Sequence, residues 1–243
     1  VTHFFVRFDI WNSGGQGVQF FFLLSGYLLA LTYQPEKSLT QVAVQRWIRF
    51  VPLVVVGGLL SGGGLRSFQG CMMLQNTGLI SMDVPNEPAW YIAVLFWCSL
   101  LYVGILKAFS RHQAIIIIAV IGMLTLLFTI HTTGDRKELF ADFMPRGMLR
   151  GLSCMAIGII LAQICRRTKT EFLKFNQRII YTVAEFAILY YILIGAFDKH
   201  LYSQYFAVQV LSHVVLLSLF VLKRGYLPSL LENRFVAQLA KYS

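Results

Sequence analysis

Long uninterrupted apolar runs are the feature of this sequence that most restricts its fold. Blocks of about 15 to 20 apolar residues alternate with short polar segments along the whole chain. At 1.5 Å per helical residue, a block of this length crosses most of a hydrocarbon layer about 30 Å thick. The runs are continuous and do not alternate at every second residue, which argues against a transmembrane β-barrel. We therefore predict an all-α fold, a polytopic bundle of transmembrane helices.

Turn and charge signals divide the chain into eight predicted spans, and a ninth begins near residue 235. The eight spans cover residues 1–11, 17–33, 50–62, 89–106, 113–131, 147–165, 179–197 and 205–222. The sequence starts inside apolar sequence and stops at the approach to another helix. We therefore expect a single integral membrane domain over residues 1–243 that is incomplete at both ends.

The composition agrees with a membrane protein and gives no sign of a nucleic-acid or metal site. The chain is 57% hydrophobic and 13% charged, with a net charge of +10. Its basic residues collect in short loops, where anionic lipid headgroups are nearer partners than nucleic acid. The four cysteines are scattered without a CxxC pair, so no metal site is predicted.

The distribution of lysine and arginine predicts which loops face the cytoplasm. Loops 34–49, 107–112, 166–178 and 223–234 hold three, two, five and three of these residues. The intervening loops 63–88, 132–150 and 198–204 hold one, four and one. Loops rich in cations remain on the cytoplasmic side, so we assign the first set to the inside and the second set to the outside. Loop 11–16 must then also lie outside.

Two short motifs lie close together near the start of the chain. The first is "GGQGVQFFFLLSGYLLALTY" over residues 14–33, and the second is "RWIRFVP" over residues 46–52. Ser25 and Gly26, in the middle of the first run, would allow a neighbouring helix to approach closely.

The pair of motifs resembles the membrane acyltransferase family 3, which combines G-V-x-x-F-F-x-L-S-G-[FY]-L with a cytoplasmic R-x-x-R-x-x-P. The residues that match are Gly17, Val18, Phe21, Phe22, Leu24, Ser25, Gly26, Tyr27, Leu28, Arg46, Arg49 and Pro52. His3 stands at the distance from Gly17 where this family has a histidine. The segments 88–97 and 146–164 are similar to later helices of the family.

The resemblance implies a bacterial inner-membrane O-acyltransferase that acts on glycans. Such an enzyme moves an acyl group, with acetyl expected, from acyl-CoA to a hydroxyl of a cell-surface or lipid-linked glycan. Its partners are the lipid bilayer, acyl-CoA as co-substrate and the glycan acceptor, without a permanently bound cofactor. The alternatives are a polytopic transporter of a glycan or small solute and an inactive fragment.

Arg46 and Arg49 are the residues expected to bind the donor. They are three residues apart on a predicted helix that Ser38 or Thr40 would cap, so they share one face. Guanidinium groups bind phosphate oxygens in a bidentate manner, and the resemblance implies that these two hold the CoA phosphates. The alternative is ordinary anchoring of a cytoplasmic loop at the headgroups.

His3 is the expected catalytic base, because imidazole has an ordinary pKa of about 6.5 and the resemblance places a histidine here. Arg7 lies one turn further along the same helix face. It would orient an acyl carbonyl or glycan oxygen, or extend to the outer headgroups. Asp9 is near enough in sequence to pair with either residue.

Three other charged residues are candidates for an acceptor-side or supporting role. Glu185 lies well inside a predicted span, where a carboxylate needs a partner, and either a structural or an acceptor-side role is open. Arg146 and Arg150 lie at the outer start of span 147–165 and would meet an anionic glycan or headgroups. Gln209, with the residues Ser212 and His213, is expected to form a hydrogen-bond network between helices.

Overall fold

A computed structural model describes residues 15–62, 70–74, 77, 89–131, 139–140, 144–168, 175–197 and 206–231. The elements in chain order are α1 (Gly15–Thr32), α2 (Leu39–Leu60), α3 (Trp90–Ala108), α4 (Arg111–His131), β1 (Leu139–Phe140), β2 (Met144–Pro145), α5 (Arg146–Arg167), α6 (Phe175–Phe197), α7 (Phe206–Val221) and α8 (Leu227–Leu231). The predicted helical architecture is confirmed for this part of the chain. Besides the helices, this part of the chain contains a short antiparallel pairing of β1 with β2, two residues in each strand.

Six helices within the described ranges are long and apolar enough to cross a membrane, namely α1 to α6. Helix α7 is also apolar but has 16 residues. These seven helices coincide with seven of the predicted spans. The predicted span 1–11 and the segment beginning near 235 lie outside the described residues, so the total of eight or nine spans stays a prediction.

Helix α2 begins earlier than the sequence suggested. The prediction started this span at residue 50, whereas the helix starts at Leu39. Ser38 caps it: the Ser38 Oγ accepts the Gln41 backbone N–H at 3.1 Å, and the Gln41 side chain accepts the Ser38 N–H at 2.8 Å. This reciprocal capping box stabilises the first turn despite its polar sequence. Arg46 and Arg49 therefore lie on a helix that Ser38 caps, as predicted.

The chain forms two compact units. The central unit consists of residues 21–160, and the terminal unit consists of residues 1–20 and 161–243. In the central unit α2 packs against α3, and α3 packs against α4. In the terminal unit α7 packs against both α6 and α8. The prediction of a single domain over the whole chain stays a prediction.

Helix α5 forms the core of the central unit, and glycines set how closely its neighbours approach. A Cβ added at Gly26 of α1 would overlap the backbone of Met155, and one added at Gly158 would overlap the backbone of Leu23. Small residues at these positions allow two helix backbones to touch. The predicted close helix approach at Gly26 is confirmed.

Residues 70–74 pack against the middle of α2 and α3, although the sequence placed them in the outer loop 63–88. The indole N–H of Trp47 donates to the Cys71 carbonyl at 2.8 Å, and that of Trp97 donates to the Met73 carbonyl at 2.6 Å. Trp97 lies about 10 Å along α3 from its first residue. Irregular backbone is tolerated at such depth only where the protein satisfies its polar groups, and the two indoles do so here.

The contact at Gly26 predicts opposite effects for two Gly→Ala variants. Gly26→Ala should lower the free energy of unfolding by about 1–3 kcal/mol, because its methyl group meets backbone that cannot move aside. Gly104→Ala should raise it by about 0.5–1 kcal/mol, since no atom lies within 4 Å of its Cβ position and alanine favours a helix. Thermal unfolding in detergent measures both. Shifts of the same sign would contradict this packing.

Candidate functional site

Arg46 points into the helix bundle of the central unit. One terminal nitrogen of its guanidinium group donates to the Ser99 Oγ at 2.9 Å, and that hydroxyl donates to the Leu95 carbonyl. Ser99 is fully buried, and Arg46 is half-buried. The serine therefore fixes the direction of the arginine side chain toward α3.

The position of Ser99 along α3 shows how deep the guanidinium lies. Ser99 is about 13 Å from Ala108, the last residue of α3. That end of α3 lies beside the loop leading into α2, because Lys107 donates to the Pro35 carbonyl at 2.7 Å. The Arg46 head group is thus well inside the bundle, where a cation is costly and usually functional. Such depth disfavours simple anchoring at the headgroups.

Arg49 lies one turn after Arg46 on the same helix and is exposed. The predicted spacing on a single helix is confirmed, and the two guanidinium groups are close enough to interact electrostatically. Among the described residues, no acidic side chain forms an ion pair with either. Two neighbouring cations without an acidic partner favour binding of an anion.

The loops predicted to be cytoplasmic meet at the same end within each unit. In the central unit, the Tyr33 hydroxyl donates to the Leu106 carbonyl at 3.2 Å. Burial raises the pKa of Tyr33 above its ordinary value, and Glu36 adds to this, so the hydroxyl remains a donor at neutral pH. In the terminal unit, the Arg178 guanidinium lies 4.6 Å above the ring of Tyr226. Both contacts agree with the predicted grouping of the loops.

Glu185 holds the turn before α8 in the terminal unit. Its carboxylate accepts the backbone N–H of Leu227 at 3.2 Å and that of Gly225. One turn earlier on α6, the Thr182 hydroxyl accepts the Tyr226 N–H at 2.9 Å. A Cβ at Gly225 would overlap the carboxylate. These contacts favour the supporting role of Glu185, while an acceptor-side role stays a prediction.

Arg146 and Arg150 are both buried in the first turns of α5. A terminal nitrogen of Arg146 donates to the Thr129 carbonyl at 3.4 Å. Their burial disfavours the interpretation that they extend to outer headgroups. A role toward an anionic glycan stays a prediction.

The predicted base His3 lies outside the described residues, as do Arg7 and Asp9. Their catalytic, orienting and pairing roles stay predictions. In the described part of the chain, no three residues among histidine, cysteine, aspartate and glutamate come together as metal ligands would.

Sequence reasoning missed that two glutamines approach the same glycine. Gln16 and Gln209 are buried in the terminal unit, and both amide nitrogens lie against Gly195. The predicted network around Gln209 differs from the observed one: the Ser212 hydroxyl bonds the Val208 carbonyl, and the His213 ring bonds the Gln209 carbonyl, both within α7. The only sequence signal for Gln16 was its place among the glycines that open α1.

A family model described as an acyltransferase domain matches residues 1–243. A comparison with curated proteins gives no match, and neither does a comparison with solved structures. The match covers the two motifs, the helices around Arg46 and the segment that contains His3. It confirms the resemblance that the motifs indicated.

The contacts of Glu185 predict a loss of stability when its carboxylate is removed. Glu185→Leu should lower the free energy of unfolding by about 1–3 kcal/mol, because two backbone N–H groups lose their acceptor. Thermal unfolding measures the change. Glu36→Leu is the matched control, since Glu36 is exposed and should have little effect. Equal midpoints for the two variants would contradict the supporting role.

Proposed function

Because the chain belongs to the membrane acyltransferase family 3, we propose that it transfers an acyl group, with acetyl expected, from acyl-CoA to a glycan hydroxyl. The chain is an acyltransferase-family protein with several membrane-spanning helices. The proposal adds the donor, the acceptor and the location. The acceptor is a cell-surface or lipid-linked glycan, and the membrane is the inner membrane of a bacterium.

The observation that carries this proposal is the position of Arg46 inside the bundle beside Arg49. CoA carries several phosphate groups and is made in the cytoplasm, so a donor site needs cations that are reached from the predicted inner side. Guanidinium forks suit phosphate oxygens better than a lysine ammonium does. The hydrogen bond from Arg46 to Ser99 holds the Arg46 guanidinium in a fixed orientation before acyl-CoA binds.

In this proposal His3 moves the proton. It removes the proton from the glycan hydroxyl while that oxygen attacks the thioester carbonyl carbon. The tetrahedral intermediate then collapses, the carbon–sulfur bond breaks, and the CoA thiolate leaves. His3 returns the proton to the sulfur, so that the products are the glycan ester and free CoA. Arg7 orients the acyl carbonyl or the glycan oxygen, with Asp9 as a charge partner.

The acceptor side of the proposal involves two arginines of α5. Arg146 and Arg150, which are buried at the predicted outer start of α5, would meet an anionic glycan that enters the bundle there. Acyl-CoA enters and leaves as a co-substrate, and the proposal includes no permanently bound cofactor.

Transfer of labelled acetyl groups from acetyl-CoA in membranes that contain the full-length protein tests this proposal. His3→Ala should lower kcat by about 10²- to 10⁴-fold, the usual contribution of a general base. Arg46→Ala should raise the KM for acetyl-CoA by about tenfold or more, because a charge-assisted contact is lost. Arg167→Ala is the control, an exposed arginine at the end of α5.

Normal transfer by both His3→Ala and Arg46→Ala would contradict the site. Solute uptake without transfer by the unaltered protein would favour the transporter.

Ser99 should act as a positioning residue for the donor. Ser99→Ala should raise the KM for acetyl-CoA by about three- to tenfold with kcat unchanged, because Arg46 loses its orienting bond. Ser99→Thr retains the hydroxyl and should preserve the KM. Ser218→Ala is a matched control, since its hydroxyl also bonds a carbonyl of its own helix. An equal KM for acetyl-CoA in Ser99→Thr and Ser99→Ala would exclude this role.

A further inference from the structure

Two buried glutamine side chains meet at the ends of three helices in the terminal unit. Gln16 lies in the first turn of α1, and Gln209 lies in the first turn of α7. Gly195 lies near the last residue of α6. Gln16 is 2% exposed and Gln209 is fully buried. These helix ends adjoin loops 11–16 and 198–204, which the charge pattern places outside the membrane.

Gly195 has no side chain, so the amide groups of both glutamines can lie against it and close to each other. A methyl group on Gly195 would lie 2.6 Å from the Nε2 atom of Gln209 and would also overlap the Nε2 atom of Gln16. The two nitrogens are therefore within about 5 Å of each other, and one oxygen atom between them could lie at about 2.9 Å from both. An alanine at this position would occupy that place.

Neither amide group has a hydrogen-bond partner among the described residues. This holds for both the nitrogen and the oxygen of Gln16 and of Gln209. A buried polar group without a partner is destabilising, and such groups in folded proteins require an explanation. Two glutamines that only joined helices would bond each other, which these do not. A ligand that offers both hydrogen-bond donors and acceptors would satisfy these amide groups.

His213 adds an uncharged acceptor one turn after Gln209. Its Nδ1 lies 2.6 Å from the Gln209 backbone carbonyl oxygen. A carbonyl can only accept, so Nδ1 carries the hydrogen, and in the neutral form of the ring Nε2 is an acceptor. The ring is buried and lies 5.9 Å from that of Phe20. An aromatic ring thus lies beside the imidazole.

We infer that Gln16, Gln209 and His213 form a binding site for the hydroxyl groups of an uncharged sugar ring. A hydroxyl both donates and accepts, as an amide does, whereas the two glutamine amides would not balance a charged group. Adjacent ring hydroxyls can bond two amides at once. The inference rests on the proposed function, because it identifies the part of the glycan acceptor that is held at the predicted outer side.

A binding measurement tests the site without requiring any transfer. The full-length protein is placed in dodecyldimethylamine oxide, a detergent without sugar, and titrated with octyl β-glucoside while tryptophan fluorescence is recorded. Octyl tetraethylene glycol ether has the same alkyl tail without ring hydroxyls and serves as the control probe. We expect saturable binding of the glucoside alone. Equal responses to the two probes would overturn the inference.

Matched variants identify the residues responsible. Gln209→Met and Gln16→Met keep the side-chain length but remove the amide, and each should weaken glucoside binding by about tenfold. Their thermal midpoints should stay equal or rise, because an unpaired buried amide is removed. Gln177→Met is the control, since Gln177 is exposed on α6. Unchanged glucoside binding in both variants would show that the amides serve another purpose.

The same variants separate this inference from the proposed function. Glucoside binding that depends on the glutamines, without acetyl transfer in any assay, would contradict the proposed acyltransferase activity and support the sugar-binding site. The opposite result is acetyl transfer to octyl β-glucoside with an acceptor KM that neither glutamine variant alters. It would support the acyltransferase activity and contradict the sugar-binding site. If both hold, Gln209→Met should raise the acceptor KM and leave the KM for acetyl-CoA unchanged.

Discussion

In a hydrocarbon layer, a polar group has to find its hydrogen-bond partners inside the protein. This constraint explains several unusual contacts here. The indoles of Trp47 and Trp97 satisfy backbone carbonyls of residues 70–74. The Glu185 carboxylate accepts two backbone N–H groups before α8. Arg46 is directed to Ser99 instead of extending to the surface. Each of these polar side chains therefore fixes a neighbouring segment.

Close backbone contact provides the rigid frame for these polar groups. Gly26 and Gly158 let α1 and α5 touch, where van der Waals packing replaces the hydrophobic effect that drives helix association in water. The Tyr102 hydroxyl donates to the Leu152 carbonyl at 2.6 Å and ties α3 to α5. Ser99 lies one turn before Tyr102. The hydroxyl that orients Arg46 thus belongs to one of the most firmly held helices of the central unit.

The two polar groups that we propose as binding sites differ in charge, and so do the ligands that we propose for them. The pair Arg46 and Arg49 is cationic without an acidic partner among the described residues, which suits a phosphate-bearing donor. The pair Gln16 and Gln209 is neutral and offers donors and acceptors in equal number, which suits hydroxyl groups. By the predicted sidedness, the first is approached from the cytoplasm and the second from outside. In this proposal, the charge of each group matches the charge of its ligand.

The sequence by itself determined the helical membrane architecture, the grouping of the loops, the face shared by Arg46 and Arg49, and the family. These depend on hydropathy, charge counts and short spacings, which are local properties of the chain. It started the membrane span at residue 50, although it also predicted a helix through Arg46 and Arg49 with Ser38 or Thr40 as its cap, and the structure joins the two into one helix capped by Ser38. Only the tertiary structure decided that Arg46 meets Ser99, that residues 70–74 fold back onto α2 and α3, and that Gln16 meets Gln209 at Gly195. Such contacts join residues far apart in the sequence, and only the packing of helix faces brings them together.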